Sequence, residues 1–303
     1  MERSNQFLEE HVTTYGLEQN EEASSGDIAY VYSGEALDMQ DVFRFSCVEE
    51  IEPVIVAGEQ DSGKTTLEVM MYRLFLEGKN ERFQFAGSRT MKGFWERSHN
   101  LLKKSGVEKP DVPRTLRAEK KFLHLAVVGE NGKRKHLVFA DYAGELFEDA
   151  SCIQALGDFF AGAANVVVTL DGEKISNYRK RIGVFSHVRI LLKRMQAAEI
   201  LSENTHLYVV CTKFDKMKES GKADAAMLFL EKEYERLRQS FAEAVGQMSL
   251  VCLCAYGIGE SEEREKMENL LDGFVKEREM AVSVSPEEQL QINRQMDKFR
   301  IRR

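Results

Sequence analysis

The sequence predicts a three-layer α/β fold, a mainly parallel sheet with one antiparallel strand and helices on both faces. Three observations predict it. Apolar β-rich runs at 51–57, 121–129, 135–141, 165–171, 206–212 and 249–255 alternate with helical stretches at 64–78, 147–162, 175–200, 223–246 and 262–280. Asn131-Gly132 joins 121–129 to 135–141 and predicts a tight hairpin, so that pair is expected to be antiparallel. The run Val54-Ile55-Val56-Ala57 passes straight into a glycine-rich loop and then a helical pattern.

The first strand and loop read Gly58-Glu59-Gln60-Asp61-Ser62-Gly63-Lys64-Thr65, a full G-x4-G-K-[ST] pattern. Such a loop turns its backbone amides on phosphate oxygens at a helix N-terminus, where unpaired donors and the macrodipole favour negative charge. Gly58 and Gly63 supply the turn, and the amides of Asp61, Ser62, Gly63, Lys64, Thr65 and Thr66 line it. Lys64 is placed to reach the β- and γ-phosphates, and the Thr65 hydroxyl to ligate Mg²⁺.

The hairpin's second strand, Leu137 to Ala140, ends in Asp141-Tyr142-Ala143-Gly144-Glu145. Asp141 is positioned for Mg²⁺, and Gly144 for close backbone approach to a γ-phosphate. The strand Leu207 to Cys211 runs into Thr212-Lys213-Phe214-Asp215, where a carboxylate can accept guanine N1–H and its exocyclic amine beneath the lysine stem. Adenine offers no such donor pair. The last strand closes at Cys254-Ala255, and the Ala255 amide can reach guanine O6. All four segments stand at strand C-termini, the edge where open α/β sheets bind ligands.

These residues, in this order, resemble the Ras-like (TRAFAC) class of P-loop GTPases over roughly residues 50–280. The resemblance implies the Ras-like P-loop NTPase fold, GTP or GDP with Mg²⁺ as cofactors, and Thr115 as the switch threonine that closes over metal and γ-phosphate. The stretch Phe85 to Phe94, with Arg114-Thr115 and Phe122-Leu123-His124-Leu125, also resembles bacterial double-GTPase-type members. It implies a part in a bacterial signalling or conflict system, with a protein effector or partner GTPase; a nucleotide-dependent dimer is one arrangement open to it.

Glu145 stands where Ras-like enzymes carry a water-orienting glutamine, and a carboxylate is a poor neighbour for a γ-phosphate. Gln60, at a position where dynamin-like GTPases place a glutamine, either orients water or only packs. The expected catalytic set is therefore Lys64, Gln60, Glu145 and Thr115, with slow hydrolysis. Arg114 and Arg89 are candidates for an arginine supplied in cis, against a solvated-surface role. Three readings follow: a GTP-hydrolysing switch, a pseudo-GTPase that binds without efficient turnover and serves assembly, and an ATP-using enzyme.

Residues 1–28 read as a flexible acidic arm, 29–282 as the nucleotide domain, and 283–303 as an amphipathic basic tail. An insert at about 80–112 is expected to add a strand near Phe83–Ala86 and a helix near Gly93–Lys104; Trp95, with Phe94 and Leu101 nearby, is expected to pack this insert onto the body, against the alternative of a partner surface. The helical stripe Tyr178, Ile182, Phe185, Val188, Leu192 and Met195 reads as core.

The 303 residues are 43% hydrophobic and 30% charged, with four prolines, as in an ordinary globular protein. A formal charge of −8 argues against nucleic acid or anionic lipid as partners. Five cysteines, an odd number with Cys211, Cys252 and Cys254 in apolar runs, read as reduced core thiols. No stretch is apolar enough to insert stably in a membrane, and the expected compartment is cytoplasmic.

Overall fold

The computed structural model describes residues 32–76, 82–98, 120–142, 147, 149–254 and 261–276. The chain lays down α1 (Met39–Ser46), β1 (Ile51–Gly58), α2 (Lys64–Arg73), β2 (Gln84–Gly87), α3 (Met91–Ser98), β3 (Lys120–Val128), β4 (Arg134–Tyr142), α4 (Ala150–Phe160) and β5 (Asn165–Asp171). There follow α5 (Gly172–Ser176), α6 (Arg181–Ala197), β6 (His206–Thr212), α7 (Phe214–Glu219), α8 (Ala223–Ser240), β7 (Gln247–Cys252) and α9 (Ser261–Val275).

The seven strands form one sheet in the order β2-β3-β4-β1-β5-β6-β7. Strand β3 runs against both of its neighbours, and every other pairing is parallel. The expected single antiparallel strand is therefore β3. The β3–β4 turn is where Asn-Gly placed it, with Gly132 at φ 71° and the Asn131 carboxamide accepting from Lys133 N–H at 3.0 Å.

Side chains alternate between the two faces of the sheet, so each strand serves two cores. Ile55, Ala57, Val138, Val166 and Val209 pack against α1, α4, α6 and α8. Val54, Val56, Leu123, Phe139 and Val210 pack against α2, α3 and α9. The two buried clusters are the reason the central strands read as unbroken apolar runs.

Three local expectations need correction. The stretch 175–200 is not one helix: Asn177 accepts from Arg179 N–H through its carboxamide at 3.0 Å, and this side-chain turn separates α5 from α6. Tyr178 and Ile182, 69% and 64% exposed, thus leave the stripe whose remaining members, Phe185, Val188, Leu192 and Met195, are buried. The insert does carry β2 and α3, but α3 buries Phe94 against Tyr72, with ring centroids 4.6 Å apart, and leaves Trp95 56% exposed. Cys211 is buried as expected, whereas Cys252 and Cys254 are half-buried because β7 is an edge strand.

Helix α1 has no counterpart among the sequence expectations. Asp38 accepts from Asp41 N–H at 2.9 Å and Asp41 accepts from Asp38 N–H at 3.2 Å, a reciprocal cap that starts the helix. Val42 and Phe45 anchor it on the sheet. The arm at 1–28 and the tail at 283–303 lie outside the described residues.

Candidate functional site

The cleft begins where β1 turns. Gly58 has φ 153°, and a Cβ there would stand 2.4 Å from the Thr169 hydroxyl and 2.8 Å from Thr169 O, so only glycine lets β1 leave the sheet beside β5. Gly63, at φ 85°, then opens α2. Between them Ser62 Oγ donates to Glu59 O at 2.7 Å and lies 2.6 Å from Thr169 Oγ1. The loop is thus braced from within and from the neighbouring strand.

Lys64 bends over this loop, donating to Glu59 O at 2.8 Å and Gly58 O at 3.2 Å. Burial pushes its ammonium down to about 8, opposed chiefly by the carboxylates of Glu68 and Asp141. It remains largely protonated at neutral pH, a buried cation at the mouth of a ring of backbone amides.

The β6 end is tied to the same loop. The Thr212 hydroxyl donates to Ser62 O at 2.8 Å and lies 3.1 Å from Leu170 O. Lys213 takes the left-handed conformation, φ 51°, and its Nζ meets the buried Asp171 carboxylate at 2.7 Å, which lays the lysine stem along the cleft. Asp171 also caps α5 through Lys174 N–H at 3.0 Å. Asp215 follows, half-buried, in the first turn of α7. Lys174 and Glu59 close the remaining side with an ion pair at 2.7 Å.

At the other end of the cleft, Thr65 Oγ1 stands 3.2 Å from Asp141 Oδ1, at the C-terminus of β4. Arg97 of α3 donates to Asp141 Oδ2 from Nε at 2.5 Å and to Gly93 O from Nη1 at 3.1 Å. Glu68, one turn along α2 from Lys64 and Thr65, is 1% exposed and lies against the Asp141 carboxylate. Burial pushes its carboxyl well above the usual range, helped by the nearby Asp141 charge and opposed by Arg97 and Lys64. Hydroxyl and carboxylate oxygens at the foot of a phosphate loop are the donor set that Mg²⁺ takes with phosphates and water, so Thr65 and Asp141 fit that ion.

The Double-GTPase 2 family is matched over residues 52–269, more than half of the chain. The protein belongs to this family. No curated protein matches the sequence. Among solved structures, the chain is similar to one in the signal recognition particle receptor SRb-GTP/SRX complex from Chaetomium thermophilum. The two share 14% identity over 73% of this chain and 98% of that chain, with a TM-score of 0.41. That likeness is too slight to bear on function.

As a Double-GTPase 2 member the protein is a P-loop GTPase-family chain that binds guanine nucleotide. The fold gathers Gly58, Gln60, Asp61, Ser62, Gly63, Lys64, Thr65, Thr66, Asp141, Thr212, Lys213 and Asp215 at one edge of the sheet. Thr115, Gly144, Glu145 and Ala255, with Arg114, lie outside the described residues. Arg89 does not face the cleft: its guanidinium stacks over the rings of Phe45 and Tyr32 at 4.3 and 4.4 Å. Stacking on the α1 side leaves it no reach to phosphate, which corrects its candidacy as a cis arginine.

Sequence reasoning missed Arg97, Glu68, Thr169 and Asp171 in this Double-GTPase 2 cleft. Arg97 and Thr169 carry no local signal, because their partners are distant in the chain. Glu68 did carry one, a lone acid among Leu67, Val69, Met70 and Met71.

Proposed function

We propose that this protein is a Mg²⁺-dependent GTPase that hydrolyses GTP to GDP and phosphate and acts as a nucleotide-dependent switch in a bacterial signalling or conflict system. The observation that carries the reading is the hydrogen bond from Thr212 to Ser62 O, which locks the purine-reading segment to the phosphate loop at 2.8 Å. A cleft built this way fixes the distance between phosphate and base, and Asp215 then selects guanine.

Within it the loop amides and Lys64 hold the phosphates, and Thr65 and Asp141 hold Mg²⁺. The ion, when bound, neutralises charge on the β- and γ-oxygens. Gln60, half-buried at the loop's turn, is the candidate to orient water, and Thr115 and Glu145 belong to the segments that close over the γ-phosphate. An effector or partner GTPase reads those segments.

The test is single-turnover hydrolysis of GTP by the full chain. Turnover is expected to fall at least tenfold in Gln60→Ala and to be lost with binding in Lys64→Ala, since one transition-state contact is worth about 10²–10³ in rate. Asp215→Asn is expected to weaken GTP binding and strengthen xanthosine triphosphate binding. Tight GTP binding with no phosphate formed by the unmodified protein would favour the second reading, assembly without turnover, which the acidic Glu145 in the switch supports.

A further inference from the structure

Helix α6 is basic in an otherwise acidic chain. From Tyr178 to Ala198 there are six arginines and lysines and no acid, in a protein of formal charge −8. Its inward side is buried in the core through Val184, Phe185, Val188, Leu191, Leu192 and Met195. Its outward side presents Ile182 and Ile190, each half exposed or more, with the exposed Lys193 on the same helical line. Just before the helix, the exposed Tyr178 ring lies under the Arg181 guanidinium, which also covers Phe229 of α8 at 4.3 Å, next to the exposed Leu228. Among the described residues, Arg181 Nε is buried with no hydrogen-bond partner, and Arg179, Lys180 and Lys193 are in no ion pair.

Apolar and cationic side chains left open together call for a counterpart that is apolar and acidic. A flat anionic surface does not suit this strip. Asp224, Glu231 and Glu235 share the outer line of α8 with Leu228 and would be pressed against the same lipid or nucleic acid. A single acidic segment fits without meeting them.

We propose that the outer face of α6 is the docking surface for this chain's own residues 1–28, their acids pairing with Arg179, Lys180 and Lys193 and their apolar residues covering Tyr178, Ile182 and Ile190. Residues 1–28 hold seven acids against one arginine, the reverse of the strip. Within them Leu8, Val12 and Tyr15 recur at spacings of four and three, among Glu9, Glu10 and Glu18. The attachment point is on the same side of the sheet, since Tyr32 packs against the buried cluster that α6 helps to form, and Leu37 pairs with Phe122 of β3. From β3 to β5, on which α6 packs, there are three strand spacings, roughly 15 Å in all. Residues 22–31 alone reach about 33 Å when extended. Tyr178 follows α5 within two residues, and Asp171 both caps α5 and holds Lys213, so the covered face adjoins the base-reading side of the cleft. An acidic, apolar partner gains this face only by displacing the segment.

The test is carbodiimide cross-linking of the full chain, which joins a carboxylate to a touching lysine amine without a spacer, followed by peptide mass mapping. A link from a glutamate of 1–28 to Lys180 or Lys193 is expected within one copy, with a yield that falls about fivefold between about 50 and 500 mM NaCl. Mixing unlabelled with ¹⁵N-labelled protein identifies links between copies as hybrid peptide pairs. A fluorescent peptide of residues 1–28 gives a second readout. It is expected to bind the full chain about tenfold more tightly once Glu9, Glu10, Glu18, Glu21 and Glu22 are changed to Gln, and to lose that gain when Lys180→Glu/Lys193→Glu is added.

Links that form only between copies would overturn the proposal and make α6 a self-association face. Links confined to other lysines, no links at all, or equal peptide affinity with and without the five glutamates would overturn it as well. Binding of the unmodified protein to phosphatidylglycerol vesicles that Lys180→Glu/Lys193→Glu abolishes would overturn it in favour of a lipid surface.

Discussion

Thr212 joins two parts of the cleft with a single hydroxyl. Its Oγ1 serves Ser62 O at 2.8 Å and Leu170 O at 3.1 Å, and it packs 3.3 Å from where a Gly63 Cβ would be. Thr212→Val keeps the shape and deletes the donor, so the buried carbonyls lose their partner at a cost of about 1–3 kcal/mol. Urea unfolding should show that loss, and nucleotide affinity should fall with it. A variant as stable as the parent with unaltered affinity would refute the brace. The hydroxyl's identity was legible as part of Thr212-Lys213-Phe214-Asp215, but its partner was not. Spacing reveals side chains that act on a ligand from one loop, whereas Ser62 and Thr212 are 150 positions apart. The same limit hid Arg97 and Thr169, while Glu68 stood out only by polarity.

Elements were legible where period and punctuation agreed, and obscure where a short polar cap decided the outcome. The centres of β1, β4, β5 and β6, at 54–57, 137–140, 166–168 and 207–211, are apolar runs and could be read directly, since both of their faces are covered. Helix α1 escaped because it is eight residues long with two buried anchors, and only the Asp38–Asp41 cap declares it. The α5–α6 break escaped because the apolar spacing continues through Asn177 while its carboxamide captures the backbone. Packing between elements sets tighter limits than either signal. In α4, a Cβ on Gly157 would lie 2.0 Å from Ala198 O at the end of α6, a backbone atom that cannot rotate away. Gly157→Ala would ordinarily favour a helix by up to about 1 kcal/mol. Here the clash wins, and a net loss of about 1–3 kcal/mol is expected from overpacking. A thermal melt at or above that of the parent would show that α4 can shift freely against α6.

Across the whole molecule the sheet carries charge chemistry at one end and a neutral histidine pair toward the other. His136 pairs in register with Ile51, where β1 begins, and Gly58 closes the same strand at the cleft. His124 accepts Arg89 N–H on Nδ1 at 2.9 Å, so its Nε2 carries the proton shared with His136 Nδ1 at 3.0 Å. Phe45 of α1 stands edge-on to both rings, with centroids 4.8 and 5.3 Å away. Burial, then the neighbouring His136, Arg89 and Arg134, push His124 down to about 2 from 6.5. His136 is also lowered, mainly by burial and against the pull of Glu49, 3.8 Å away. Between the folded and unfolded values the unfolded chain binds more protons, so stability is held above pH 6.5 and drains away as the pH falls below it. His124 alone should cost about 1.4 kcal/mol one unit below its unfolded pKa, and His136 adds in the same direction. Unfolding midpoints taken from pH 7.5 to about 5.5 avoid most carboxylate titration; Glu68, whose carboxyl is held above the usual range, acts against the histidine trend and does so equally in parent and variant. They should decline in the parent and flatten in His124→Gln/His136→Gln, whatever that variant's absolute stability. A parental slope that survives both replacements would locate the acid sensitivity elsewhere.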